Sequence, residues 1–192
     1  MFSGIERYEI IKNLLPLQRF GCIFMLVEEH DAEFIFKLRT NPKLSRFIHK
    51  VSNNVNDQVR WIRDYKVREL KGDEFYFLSI DSESGRRQGL NRIYNFRDNS
   101  YELGSWLYSP DNDISKSILG DIAVKEIAFD FLRFEICTFE VRKGNKSVLR
   151  YHQSYLPEFA GEDEENYYFR LDKNNFNKHK YKYLNILGYG HS

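Results

Sequence analysis

Glu102, Tyr151 and His152 are the side chains of this chain best suited to proton transfer, and they fall in one continuous stretch. Imidazole titrates near neutral pH and fits general acid or base work at His152. Glu102 is a candidate base, acting directly or through water. Between them lies Ser115-Lys116-Ser117, which offers hydroxyls, an ammonium and the free N–H groups of a helix start, a combination that suits an anion. Asn145, after Gly144, can cap a helix and still has side-chain donors to spare. The chemistry these residues suggest is proton transfer beside a bound anion.

The elements that must position them can be read from the pattern. A strand over 101–108 runs into the polar loop Ser109–Asp113, a helix over 115–132 and a second strand over 135–142, followed by a helix over about 145–155. Strand, loop, helix and parallel return strand make a βαβ unit. Strand alternation puts Tyr101, Leu103 and Ser105 on one face and Glu102, Gly104 and Trp106 on the other. Residues 151 and 152 stand about 100° apart on a helix, so only one can point into a cleft.

Upstream, an amphipathic helix, Ile5–Leu15, is closed by Pro16, and Phe20–Glu28 reads as a first strand. A helix over Ala32–Arg39 ends at Thr40-Asn41-Pro42, because the residue before proline avoids the α region. Leu44–Ile48 fits a short helical turn, and Asn56 or Asp57 can cap a helix over Gln58–Glu69. Phe75–Asp81, Gln88–Phe96 and the 101–108 strand, joined by short turns, form an antiparallel meander. Asn166–Leu171 is the last strand, preceded by a solvated acidic turn, Glu162–Glu165. The basic tail, Asp172–Ser192, is either a helix packed on the rest or partly disordered.

A chain of 192 residues with this pattern fits one domain, 1–192, with a core at about 20–171 and the N-terminal helix and tail appended. A net charge of +1 argues against a nucleic-acid partner. The 5 histidines are scattered, so no metal site is expected. Cys22 and Cys137 lack metal or redox spacing and read as buried free thiols, which fits a reducing compartment. With no long apolar run and no signal-peptide pattern, no membrane partner is expected and the reading is cytoplasmic.

This order of elements, with Asn145 after the second strand of the βαβ unit, resembles the GNAT superfamily of acyl-CoA-dependent N-acyltransferases. The phrases Phe36-Lys-Leu-Arg-Thr-Asn-Pro42, Gln58-Val-Arg-Trp-Ile62, Arg92-Ile-Tyr-Asn95, Gly104-Ser-Trp106, Val141-Arg-Lys-Gly-Asn145 and Tyr151-His152 are similar to the branch linked to bacterial surface-polysaccharide aminosugar acetylation. The resemblance implies an α/β fold with a mixed, mostly antiparallel sheet flanked by helices and splayed fourth and fifth strands. It implies acetyl-CoA as acyl donor, with Trp106, Leu107, Tyr108, Ile114, Ser115, Lys116, Ser117 and Asn145 around it. The family's pyrophosphate loop carries glycines, and the equivalent run here, Asn112–Ser117, has none and adds the charge of Asp113. Either the loop is a degenerate CoA loop, or Asp113 or Ser115 simply caps a core helix. The family usually has Tyr seven residues after this Asn, where it protonates the CoA thiolate. Here that position is His152, with Tyr151 beside it, so His152, Tyr151 and Glu102 are the catalytic candidates. Arg39, Arg46, His49 and Lys50 are the acceptor-side candidates.

The implied function is N-acetylation of a primary amine on a small acceptor, an amino-deoxysugar nucleotide by resemblance to that branch, by direct attack through a tetrahedral intermediate. Two rivals stand beside it: N-terminal acetylation of a peptide or ribosomal protein, and a GNAT-fold interaction module without catalysis. A homodimer is compatible with the sequence.

Overall fold

The computed structural model describes residues 2–48, 52 and 54–190. Its strands are β1 (Leu17–Arg19), β2 (Cys22–Leu26), β3 (Phe75–Asp81), β4 (Arg87–Arg97), β5 (Ser100–Tyr108), β6 (Ile136–Arg142), β7 (Glu158–Glu162) and β8 (Asn166–Asp172). They form one eight-stranded sheet in the order β1-β2-β3-β4-β5-β6-β8-β7. Every neighbouring pair is antiparallel except β5 and β6, which run parallel. The helices are α1 (Gly4–Leu14), α2 (Ala32–Thr40), α3 (Pro42–Ser45), α4 (Val55–Leu70), α5 (Ile114–Glu126), α6 (Lys146–Gln153) and α7 (Lys173–Ile186).

Two apolar layers hold the helices to the sheet. On one face Phe75, Phe77, Tyr101 and Phe139 pack with residues of α5, α6 and α7. On the other, Tyr76, Leu78, Leu90 and Leu107 pack with residues of α2 and α4. Burial of this apolar surface is the dominant stabilising term. Both cysteines are free and buried in the first layer, and burial pushes the Cys137 thiol up to about 12.

Several boundaries differ from the pattern-based expectation, each for a local reason. Phe20–Glu28 is not one strand. Phe20 and Gly21 both take positive φ and make a two-residue turn between β1 and β2, a turn that usually announces itself as Asn-Gly. Helix α4 starts one residue after Asn54, whose side chain accepts from the Asn56 amide, so neither Asn56 nor Asp57 is the cap. The 115–132 helix is α5 followed by a π-helical turn, Ile127–Phe131. Strand β7 was invisible to alternation because Glu158, Phe159, Ala160 and Glu162 are exposed and Gly161 breaks the register. The tail is α7, capped by Asp172 and fixed by buried Phe176, Lys180 and Leu184 at four-residue spacing. The Lys180 ammonium meets Glu126 at 2.9 Å. No described helix is long and apolar enough to cross a membrane.

Candidate active site

The parallel pair sets the site. β5 and β6 pair only at Ser100–Ile136, Tyr101–Cys137 and Glu102–Thr138. Beyond that, β5 stays with β4 up to Tyr108 and β6 stays with β8 up to Arg142. The strands therefore part, and a cavity of about 450 Å³ opens between them. Trp106, Leu107, Phe139 and Val141 line it, with Asn145, Val148 and His152 from the start and body of α6.

Strand β5 does not alternate through this region. Ser105 sits at φ 48, a left-handed conformation costly for a non-glycine residue, and the β4–β5 register shifts between Leu90 and Arg92. The expected sharing of one face by Glu102 and Trp106 is thereby overturned. Trp106 packs against Tyr151 and His152 on the α6 face, with ring centroids 5.0 and 5.3 Å away. Glu102 lies opposite Tyr94, in register with Leu90 and Arg92 on the other face. The half-buried Glu102 does not line the cavity. Its Oε1 accepts from the Tyr94 hydroxyl at 2.5 Å and its Oε2 from the Asn95 amide at 2.8 Å.

Of the two consecutive candidates on α6, His152 lines the cavity and Tyr151 does not. The Tyr151 hydroxyl donates to Asp121 Oδ2 at 2.6 Å, and Lys125, with Asp121 fully buried, pairs with the same oxygen. Tyr151 is thus a core residue tying α6 to α5, because burying the Asp121–Lys125 pair demands extra donors. His152 is 4% exposed, and its Nδ1 is buried without a hydrogen-bond partner. Burial first, and the Lys125 charge second, hold its pKa well below the ordinary histidine range. The expectation of an imidazole titrating near neutral pH is therefore corrected: burial favours the neutral ring.

The start of α5 is closed by its own cap. Asp113 accepts from the Ser115 amide at 2.7 Å, and the Ser115 side chain, together with that amide, holds the carboxyl below its usual range. Ser117 Oγ donates to Ile114 O, Lys116 Nζ pairs with Asp81 at 3.1 Å, and Ile114 is 76% exposed. Trp106 Nε1 donates to Ser117 O at 2.9 Å, anchoring the first turn of α5 to β5. Tyr108 turns from the cavity: its ring lies over Gly89 and its hydroxyl reaches Asn91 at 2.9 Å beside Gly120. Asn145 caps α6 through Val148 N and also lines the cavity, so the two readings of it coexist.

On the opposite face the cavity is walled by Arg39, Lys43, Arg46, Arg92, Tyr94 and Glu140, among others. Arg46 lies over the Phe47 ring at 4.5 Å. His49 and Lys50 lie outside the described residues. A second cavity, about 200 Å³ between α2 and α4, adjoins through Arg39 and is lined by Phe36, Gln58, Trp61 and Tyr76. Arg92 Nε is buried without a hydrogen-bond partner among the described residues. Sequence reasoning assigned no role to Arg92 and Tyr94, although the 92–95 phrase carried part of the resemblance. Their place is set by the cross-strand pairing of Tyr94 with Glu102, which neither strand shows alone.

An acyl-CoA fits these residues unequally. The gap between the parting strands offers apolar walls for its pantetheine arm, with the Asn145 side chain at the far end. The helix start offers less, since Asp113 already occupies the Ser115 amide.

The acetyltransferase (GNAT) domain family matches residues 23–155. A curated relative, acetyltransferase PseH of Campylobacter jejuni, is 24% identical over 148 residues, covering 77% of this chain and 90% of its own. The solved structure of apo FdhC, described as a nucleotide-linked sugar GNAT, is 36% identical with a TM-score of 0.80, covering 91% of this chain and 99% of its own. RimJ of Mycobacterium smegmatis, solved with CoA-disulfide, shares the fold at 13% identity and a TM-score of 0.71, covering 87% of this chain and 89% of its own. A non-catalytic module is thereby set aside: the chain belongs to the GNAT acetyltransferase family and is an N-acetyltransferase.

Proposed function

We propose that the chain moves an acetyl group from acetyl-CoA to the primary amine of a nucleotide-linked amino-deoxysugar, in the cleft where β5 and β6 part. The observation that carries the acceptor reading is the charge of that cleft. Arg39, Lys43, Arg46, Arg92 and Arg142 line it, with Glu140 the one carboxylate of the lining among the described residues, while Arg92 and Arg142 are themselves paired with Glu74 and Glu165. Such a wall favours an acceptor bearing a diphosphate and disfavours a polyamine. The adjoining cavity, with the aromatic faces of Phe36 and Trp61, offers room for the rest of the acceptor. The 36% identity to FdhC points the same way.

Two protons must leave the acceptor nitrogen. One goes before attack, because only the neutral amine is nucleophilic, and Glu102 is the base assigned to it. The second must reach the departing sulfur. A neutral imidazole at His152 suits this transfer: it takes the proton from nitrogen as the amide forms and returns it to the sulfur. With Nδ1 buried, Nε2 is the nitrogen left to serve the cleft. Trp106, Leu107, Phe139 and Val141 exclude water around these transfers. Acetyl-CoA, when bound, supplies the activated acyl group.

The test is release of free thiol from acetyl-CoA with nucleoside-diphosphate-linked amino-deoxyhexoses, and with a peptide bearing a free N-terminus for comparison. The proposal expects a product acetylated on the sugar nitrogen. Transfer to the peptide alone would move the assignment to the ribosomal-protein type of acceptor.

A further inference from the structure

We infer that Tyr94 is a catalytic residue of this site, relaying the first amine proton to Glu102 through its hydroxyl. Glu102 itself does not line the cleft, whereas Tyr94 does. The Tyr94 hydroxyl donates to Glu102 Oε1 at 2.5 Å, and among the described residues Tyr94 is the side chain that is both bonded to that carboxylate and lines the cavity. Asn95 fixes the second carboxylate oxygen at 2.8 Å, so Glu102 cannot swing freely towards the acceptor.

The sequence prepares this placement. Gly104 follows Glu102 by two residues on the same face of β5, and a Cβ there would stand 2.9 Å from the Tyr94 ring and 3.1 Å from its hydroxyl. Only a glycine lets the phenol lie against β5 at the point where the strands part. The Arg92 guanidinium lies over the Tyr94 ring at 4.4 Å and is itself tied to Glu74.

The step balances. The acceptor ammonium gives one proton to the Tyr94 oxygen as the phenolic proton passes to Glu102 Oε1. The amine becomes neutral, Tyr94 ends as it began, and the protonated Glu102 loses its proton to solvent from its half-buried position. Tyr94 need never ionise. Its burial and the neighbouring Glu102 carboxylate keep the phenol protonated, with Glu140 of β6 acting in the same sense and Arg92 against it.

This inference rests on Glu102 being the base, and the experiment separates the two. Wild type, Tyr94→Phe, Glu102→Gln and the double variant are compared by kcat and kcat/KM from pH 6 to pH 10, on whichever amine the wild type acetylates. Tyr94→Phe is expected to lower kcat roughly 10²-fold near neutral pH. Glu102→Gln should match it, the double variant should be no slower than either, and the loss should shrink at high pH where the amine is already neutral. A Glu102→Gln loss with Tyr94→Phe within twofold of wild type overturns the relay and leaves Glu102 as base. Full rates in both variants overturn both. Multiplying losses, or a raised acceptor KM with kcat intact, reduce Tyr94 to a contact. Gly104→Ala, which displaces the phenol without removing it, should reproduce the pH-dependent loss. An unchanged acetyl-CoA thermal shift shows that each variant is folded.

Discussion

Tyr151 and His152 are consecutive on α6, yet the Tyr151 hydroxyl is bonded to buried Asp121 while the His152 ring lines the cleft. Their substitutions should therefore separate. Tyr151→Phe removes a buried donor from a carboxylate and should cost about 1–3 kcal/mol of stability, read by urea unfolding, with kcat within a few-fold of wild type. His152→Phe should lower kcat roughly 10²-fold with little change in acetyl-CoA affinity. The reverse pattern would return the proton-transfer role to Tyr151.

The neutral state of His152 has a consequence for stability. Its folded pKa is depressed below the unfolded value of about 6.5, so below that pH the unfolded chain binds a proton that the native one refuses. Stability is fully present above pH 6.5 and falls as pH drops through it, by about 1.4 kcal/mol per pH unit while only the unfolded state is protonated. Urea midpoints between pH 7 and pH 5 should show this slope in wild type and a slope reduced by that amount in His152→Phe.

The Asp113 cap places a carboxylate at the start of α5, in the run equivalent to the family's pyrophosphate loop. Asp113→Asn keeps a good capping residue and removes the charge. Acetyl-CoA affinity should rise about two- to fivefold at low salt, the scale of one charge at a helix end. The gain should fade at high ionic strength. An unchanged affinity would mean that the phosphates lie elsewhere.

Arg46 is exposed at the cationic wall of the cleft. Arg46→Ala should raise the acceptor KM with kcat nearly intact, as a uniform binding contact would. The effect should vanish when the same amino sugar is offered without its nucleotide. Equal effects on both acceptors would place Arg46 away from the phosphates.

The meander was legible because short apolar runs are bounded by turn residues, as in Phe75–Asp81, a continuous buried run where the strand falls as expected. The site was legible only in part. Asn145 and His152 were singled out through the family resemblance, which places a functional residue seven positions after the Asn, while the choice between Tyr151 and His152 had to wait for the packing of α6. The Glu102–Trp106 relation could not, because a left-handed serine at 105 reverses the alternation and carries no sequence signal comparable to a glycine. Tyr94 was missed because its role depends on a cross-strand partner, and pairing register is not written in either strand alone. The neutral His152 was missed because it follows from burial beside Lys125, which lies far away in the chain.

The most direct test is the ratio of kcat/KM for a nucleoside-diphosphate-linked amino-deoxyhexose to that for the same amino sugar without the nucleotide, both with acetyl-CoA. The cationic wall of Arg39, Lys43 and Arg46 predicts a ratio of at least about tenfold, the equivalent of 1.4 kcal/mol, falling as salt is raised. A ratio near one, or faster transfer to a peptide N-terminus than to either sugar, would contradict it.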